Sequence, residues 1–301
     1  MSSQIAASLA TVATAFLSRQ GLAPGTLKSY QCTLLPFLQE YGSMPIEILT
    51  RQAITEYLDD LEGIAYTTHH RHQAIIPSLF NFAVEEGYIK SNPILGLKRR
   101  KPERAKGEHD SDEIIRYLTL EQLEMLYQLV KHHLRMNALV HLLHGSGARI
   151  SELLALDLRD VNQSERKFQV VGKGNRKRWC FYGEDAAVAL DYYLKYDRHA
   201  KSSALFTAQQ PFTLEVSRLS YRTAYDNWCE LTEDAPELAD ANLHDLRHTF
   251  ATERVGLMGI EELRALMGHR SIQTTLRYQK VTSQRAETVA KQALKSLQNA
   301  D

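Results

Sequence analysis

Phe168-Gln169-Val170-Val171, Gly172-Lys173-Gly174-Asn175 and Arg178-Trp179-Cys180-Phe181-Tyr182 follow one another with only two residues between the last two runs. Two segments rich in β-branched and aromatic residues flank a Gly/Asn turn, which is the composition of a β-hairpin. Lys173 stands at its tip between two glycines, a place where a lysine is commonly just solvated. A third short strand is expected near residues 159–163, completing a small antiparallel sheet. Around this sheet the hydrophobic pattern has helical period.

Working back toward the amino terminus, four helices are expected over residues 3–19, 24–41, 50–62 and 66–86. In the fourth, Ile75, Ile76, Leu79, Phe80 and Ala83 share one face, and Glu86-Gly87 is a stop signal. Residues 1–97 therefore read as an all-α domain. Pro93, Pro102 and the lack of apolar period mark residues 98–113 as an interdomain linker. Thr119-Leu120-Glu121-Gln122 is a helix start capped by Thr119. Residues 114–301 read as an α+β domain, helical outside the hairpin except for loops near 207–213 and 233–241. The fold class is mainly α with a small antiparallel β-sheet.

The chain has 36 Lys/Arg against 36 Asp/Glu, a balance that by itself argues against a nucleic-acid partner. The distribution reverses that reading. Residues 98–106 alone hold six basic side chains (Lys98, Arg99, Arg100, Lys101, Arg104, Lys106) and one acidic one, while both flanks are slightly acidic. Charge alone leaves this stretch equally readable as a solvated linker. No run reaches the roughly 18 apolar residues of a membrane span. Met1 to Phe16 lacks the basic start of a signal peptide and reads as a mature helix. Three scattered cysteines without C-x-x-C support neither a zinc site nor a disulfide framework, and point to a reducing cytoplasm.

Four features carry chemistry. Gly147-Ala148-Arg149-Ile150-Ser151-Glu152 puts Arg149 and Glu152 at i, i+3, expected on one helical face; alone, that is a weak surface ion pair. Lys173 is the second. Leu243-His244-Asp245-Leu246-Arg247-His248 sets His244 and Arg247 one turn apart, beside His248. Leu266-Met267-Gly268-His269 ends a helix, and Ser271 to Tyr278 starts another that carries a tyrosine. Arginines clamp a phosphate, histidines move protons near neutral pH, and a tyrosine hydroxyl can form a phosphoester. Neither a Walker loop nor a carboxylate cluster with Mg²⁺ spacing occurs. The inventory fits metal-free phosphoryl transfer through phosphotyrosine.

In this order and spacing, Arg149, Lys173, His244-x-x-Arg247, His269 and Tyr278 resemble the tyrosine recombinases of the phage-integrase family, in their compact Xer form. The resemblance covers nearly the whole chain; Thr26-Leu27-x-x-Tyr30 and the Pro93 exit resemble that family's core-binding domain. It implies that Arg149 and Arg247 hold the scissile phosphate and that Tyr278 attacks it, leaving a 3′-phosphotyrosyl enzyme. Lys173 would protonate the leaving 5′-oxygen, His244 would assist proton transfer, and His269 would hydrogen-bond the phosphate. Glu152 would orient Arg149 or His244.

The same resemblance implies a duplex DNA recombination site as partner, no cofactor and no metal. Four protomers, or two paired with a related recombinase, would act on two synapsed sites through a Holliday junction. The two domains would clamp DNA, with Lys98, Arg99, Arg100 and Lys101 following phosphates and Lys28, Arg51, Arg71 and Arg222 as further contacts. The setting would be the cytoplasm, on the nucleoid. An apolar stripe in a helix expected over Arg285 to Gln298 would dock on a neighbouring protomer or on its own domain. A topoisomerase-like relaxing activity and a DNA-binding accessory role are the alternatives.

Overall fold

In the computed structural model, which describes residues 7–61, 63–108, 115–172 and 175–279, helix α1 (Leu9–Leu17) starts at Ser8. The Ser8 hydroxyl accepts from the Thr11 amide, and the Leu9 amide donates to the Met44 carbonyl. That cap corrects the expected start at residue 3. Helix α2 (Pro24–Tyr41) begins on a proline, which costs nothing where the amide has no partner anyway. Thr50 caps α3 (Arg51–Asp59), shorter than the run to 62 that was expected, and α4 (Tyr66–Glu85) ends before Gly87 at φ +76°. Their apolar faces meet in one core where Phe16, Leu34, Phe37, Ile54, Leu79 and Phe80 are fully buried. Each such side chain contributes about 1.5–3 kcal/mol.

The chain divides into two compact units, Met1–Ile114 and Ile115–Asp301. The basic stretch is held within the first. Tyr66 Oη donates to the Arg100 carbonyl, and the Arg100 amide donates to Gln73 Oε1 at 3.0 Å. A single 3₁₀ turn, Arg104–Lys106, closes on Gly107 in the left-handed region.

The second unit opens with the expected capping box: Thr119 and Gln122 bond each other's backbone at the start of α5 (Leu120–Val130). Helix α6 (Leu134–Ser146) buries Met136, Ala138, Leu139, Val140, Leu142 and Leu143 completely. A helix apolar on nearly all sides belongs at the centre of a core. It stops at Gly147, at φ +62°, where an added Cβ would lie 2.4 Å from the Phe250 ring. No residue but glycine satisfies both demands. Helix α7 (Ile150–Leu154) follows.

The expected sheet is present. Strands β1 (Val161–Asn162), β2 (Lys167–Gly172) and β3 (Arg176–Phe181) pair antiparallel in the order β1-β2-β3, with Phe168 opposite Cys180 and Val170 opposite Arg178. After α8 (Glu184–Tyr196) comes a second, two-stranded hairpin, β4 (Thr207–Gln209) with β5 (Val216–Arg218), where a plain loop near 207–213 was expected. The chain continues through α9 (Tyr221–Thr232), α10 (Asp245–Arg254), α11 (Ile260–Met267) and α12 (Ile272–Leu276). The fold is mainly α with small antiparallel sheets. Lys173 and the helix expected over 285–298 lie outside the described residues.

Candidate active site

Arg149 does not sit on a helical face, as its spacing to Glu152 suggested. It is the residue before α7, with extended backbone at φ −73° and ψ 143°. It follows by two residues the left-handed Gly147 turn that ends α6. Glu152 closes a capping box: its carboxylate accepts from the Arg149 amide at 2.8 Å and from the Arg149 guanidinium at 2.9 Å. The pair is therefore no exposed ion pair of a few tenths of a kcal/mol.

Glu152 is buried, 7% exposed. Arg178, reaching in from β3, donates to both its oxygens at 2.8 and 2.6 Å, and to the Leu266 carbonyl at 3.0 Å. Burial alone would raise the Glu152 carboxyl, but the Arg178 bond and charge, then Arg149, outweigh it and hold the group at about 2. Arg178 also fills the space beside Gly268, where an added Cβ would come 2.9 Å from its guanidinium. Sequence reasoning missed this residue. Its signal was alternation: Arg178 shares a strand face with buried Cys180, and an arginine on the inward face of a strand needs an inward partner.

Arg247 is 2% exposed. One terminal nitrogen donates to the Gly147 carbonyl and the other to the Met267 carbonyl at 2.5 Å. Burial first, then the charges of Arg149 and Arg178, depress its guanidinium to about 10. A cation held this way is primed for an anion, because a bound negative charge relieves both costs. His244 stands just before α10, exposed, its ring perpendicular to that of His248 at 4.8 Å between centroids. Partial desolvation, Arg247 and Arg149 lower its pKa.

His269 follows the Gly268 turn that ends α11, and it is buried. Its Nδ1 bonds Thr275 Oγ1 at 2.9 Å, and its ring lies parallel to Tyr278 at 6.3 Å. Burial and the surrounding arginines push it down to about 3. Tyr278 lies just past α12 rather than within it, 3% exposed, in a small cluster with Phe250, Leu263 and Met267. Its hydroxyl bonds His248 Nδ1 at 2.7 Å. Burial raises the Tyr278 phenol above its ordinary value, against Arg247, Arg277 and Arg149.

Arg149, Glu152, His244, Arg247, His269 and Tyr278 thus meet through shared bonds, ring contacts and electrostatic fields. Gly172 opposes Arg176 at the closing pair of the hairpin, and Glu152 Oε1 and the Arg178 guanidinium lie 3.5 Å from where a Gly172 Cβ would stand. The strand end leading to Lys173 is therefore seated on the same carboxylate.

The other basic candidates are distributed differently. Lys28, Arg71, Lys98, Arg99 and Lys101 are exposed. Arg51 donates to the Leu95 carbonyl, and Arg222 pairs with Asp226 at 2.9 Å. Arg100 is held by Glu103 at 3.0 Å and Glu108 at 2.9 Å, and Lys106 by Glu103. Among the described residues, no cluster of His, Cys, Asp and Glu is arranged to hold a metal ion, and no helix is long and apolar enough to cross a membrane.

Residues 116–285 match the Phage integrase family. The tyrosine recombinase XerD of Corynebacterium glutamicum is 28% identical over 286 residues, covering 88% of this chain and 90% of its own. Tyrosine recombinase XerC of Myxococcus xanthus is 28% identical over 289 residues, covering 90% and 91%. Among solved structures, the Tn1549 transposon integrase in complex with a circular intermediate DNA superposes with a TM-score of 0.72 at 20% identity, over 90% of this chain and 94% of that one. A lambda integrase dimer bound to a COC′ core site gives 0.67 at 17% identity, over 88% and 91%. At these identities the structural likeness establishes the fold.

Proposed function

The chain belongs to the phage integrase family and is a tyrosine recombinase, and we propose that Tyr278, Arg149, Arg247, Lys173, His244 and His269 form its reaction centre on duplex DNA. One observation carries this assignment. The buried Arg247 guanidinium bonds both the Gly147 carbonyl, which precedes Arg149, and the Met267 carbonyl, which precedes His269 and Tyr278. A single cation thereby draws together segments far apart in the chain.

In this reading the scissile phosphate sits between Arg149 and Arg247, whose bonds strengthen as charge builds on phosphorus. Tyr278 Oη attacks, giving a 3′-phosphotyrosyl link and a free 5′-hydroxyl. Lys173 protonates the leaving oxygen; His269 donates to a phosphate oxygen; His244 assists proton transfer. Glu152 keeps Arg149 aimed. The first unit serves as the core-binding half of a DNA clamp, with Lys98, Arg99 and Lys101 following phosphates. Two sites pair in a tetramer, made of this chain alone or with a related recombinase, and exchange strands through a Holliday junction on the nucleoid. The XerC and XerD relatives support the Xer-type assignment.

The test is a nicked duplex carrying the candidate site, incubated with wild type and Tyr278→Phe. Wild type should form a covalent adduct and exchanged strands. The Phe variant, whose ring still packs, should bind DNA equally and form neither. An adduct with Tyr278→Phe removes the assignment, and an adduct without strand exchange favours a relaxing enzyme.

A further inference from the structure

The phenolic proton of Tyr278 must leave during attack, and the structure offers a specific acceptor. His248 follows Arg247 on α10, is half-buried, and holds its Nδ1 2.7 Å from Tyr278 Oη. The alternatives are placed differently. His269 commits its Nδ1 to Thr275 and presents its ring face to the tyrosine. His244 packs its ring perpendicular to that of His248. We propose that His248 Nδ1 takes the Tyr278 phenolic proton during strand cleavage and returns it during rejoining, an inference that rests on Tyr278 being the nucleophile.

The step balances as follows. The Tyr278 Oη–phosphorus bond forms while the bond from phosphorus to the bridging 5′-oxygen breaks. The phenolic proton passes to His248 Nδ1, and the departing oxygen takes a different proton from Lys173. Rejoining runs both transfers backward. The groups facing His248 set when this is possible. Burial, then His244 just before its helix, Arg247 on the helix and Arg277 beside α12, keep the imidazole neutral, at about 4. In the tautomer protonated at Nε2, which the proposal assigns, the neutral ring accepts through Nδ1, with the phenol O–H donating to nitrogen. A scissile phosphate seated on Arg149 and Arg247 brings a negative charge that offsets part of that positive field. The imidazolium then becomes accessible only with DNA in place.

The experiment uses the full chain, the native site and the same site with sulfur replacing the bridging 5′-oxygen. A thiolate leaves without a proton, so the sulfur substrate isolates the nucleophile's proton from the leaving group's. Single-turnover cleavage is followed from neutral to alkaline pH. His248→Asn keeps an oxygen that can accept from Tyr278 but cannot hold its proton. It should cleave both substrates about 10²- to 10⁴-fold more slowly at neutral pH and recover as the pH approaches that of phenol ionisation. Lys173→Ala should recover on the sulfur substrate alone. His248→Asn with the wild-type rate and pH profile on both substrates overturns the proposal.

A second measurement leaves the protein intact, should the variant fold poorly. With cleaved site DNA and vanadate, a transition-state mimic that bonds Tyr278, nitrogen NMR of histidine-labelled wild type should show His248 doubly protonated. A neutral ring there overturns the proposal. Tyr278→Phe separates the two levels: an adduct with it removes the nucleophile, whereas an inert Phe variant beside a fully active His248→Asn removes only the acceptor.

Discussion

Arg178 grips Glu152 through both carboxylate oxygens, at 2.8 and 2.6 Å, in a place where Glu152 is 7% exposed. The bond joins the sheet to the turn that aims Arg149. Breaking a buried pair by removing one partner costs about 3–5 kcal/mol, because the other charge is stranded. Glu152→Gln should therefore lower Tm strongly, and Glu152→Gln with Arg178→Met should recover part of the loss. A double-mutant cycle by thermal unfolding measures the coupling. Strictly additive losses would mean that the pair is incidental.

The same carboxylate gives a pH signature. Its folded value of about 2 lies below the ordinary 4.5, so the folded state binds the proton more weakly. This contribution to stability is complete above pH 4.5 and fades as the pH falls from there toward 2. Wild type should lose more stability across that window than Glu152→Gln. Parallel denaturation curves in mild acid would count against the assignment.

Arg149→Ala and Arg247→Ala should both slow cleavage by roughly 10² to 10³ at saturating DNA. They should differ before DNA is added. Arg247 satisfies two backbone carbonyls, whereas among the described residues the Arg149 side chain bonds Glu152 alone and is 35% exposed. Differential scanning calorimetry should show a clear loss for Arg247→Ala and a small one for Arg149→Ala. Equal Tm values would show that the carbonyl contacts of Arg247 contribute nothing to folding.

Gly147→Ala meets two penalties, a left-handed backbone and the Phe250 ring at 2.4 Å. Left-handed strain costs about 1–2 kcal/mol and overpacking about 1–3 kcal/mol. Gly147→Ala with Phe250→Leu should recover the second part alone. If the double variant is no more stable than Gly147→Ala, the ring contact does not set the cost.

Neutralising Lys98, Arg99 and Lys101 should reduce the salt dependence of DNA binding by about 0.9 for each lost phosphate contact. Arg100→Ala should change that slope far less, since Glu103 and Glu108 already occupy its guanidinium. Equal effects from all four would mean that DNA displaces those carboxylates.

Much of this was legible in the sequence because it is periodic or punctuated. The hairpin showed in alternating apolar residues around Gly and Asn, and α5 in a Thr/Gln capping box. Strands β4 and β5 were not legible: three residues each leave too little alternation to separate a ladder from a loop. Arg149 was misplaced onto a helix because arginine is not a capping residue type; only Glu152 three positions later hinted at a helix start. The roles of Arg178 and His248 depend on which distant groups they meet, Glu152 and Tyr278, and no local pattern encodes a meeting between α10 and the end of α12.

Arg247 makes the two carbonyl contacts that fasten the centre and also supplies one of its charges. Any local opening of the α11 end therefore displaces the charge that acts on Tyr278 in the same motion that loosens the fold. For a site-specific DNA recombinase, damage there should leave a protein that still binds DNA but makes no stray cut. Safety and shape are written into one side chain.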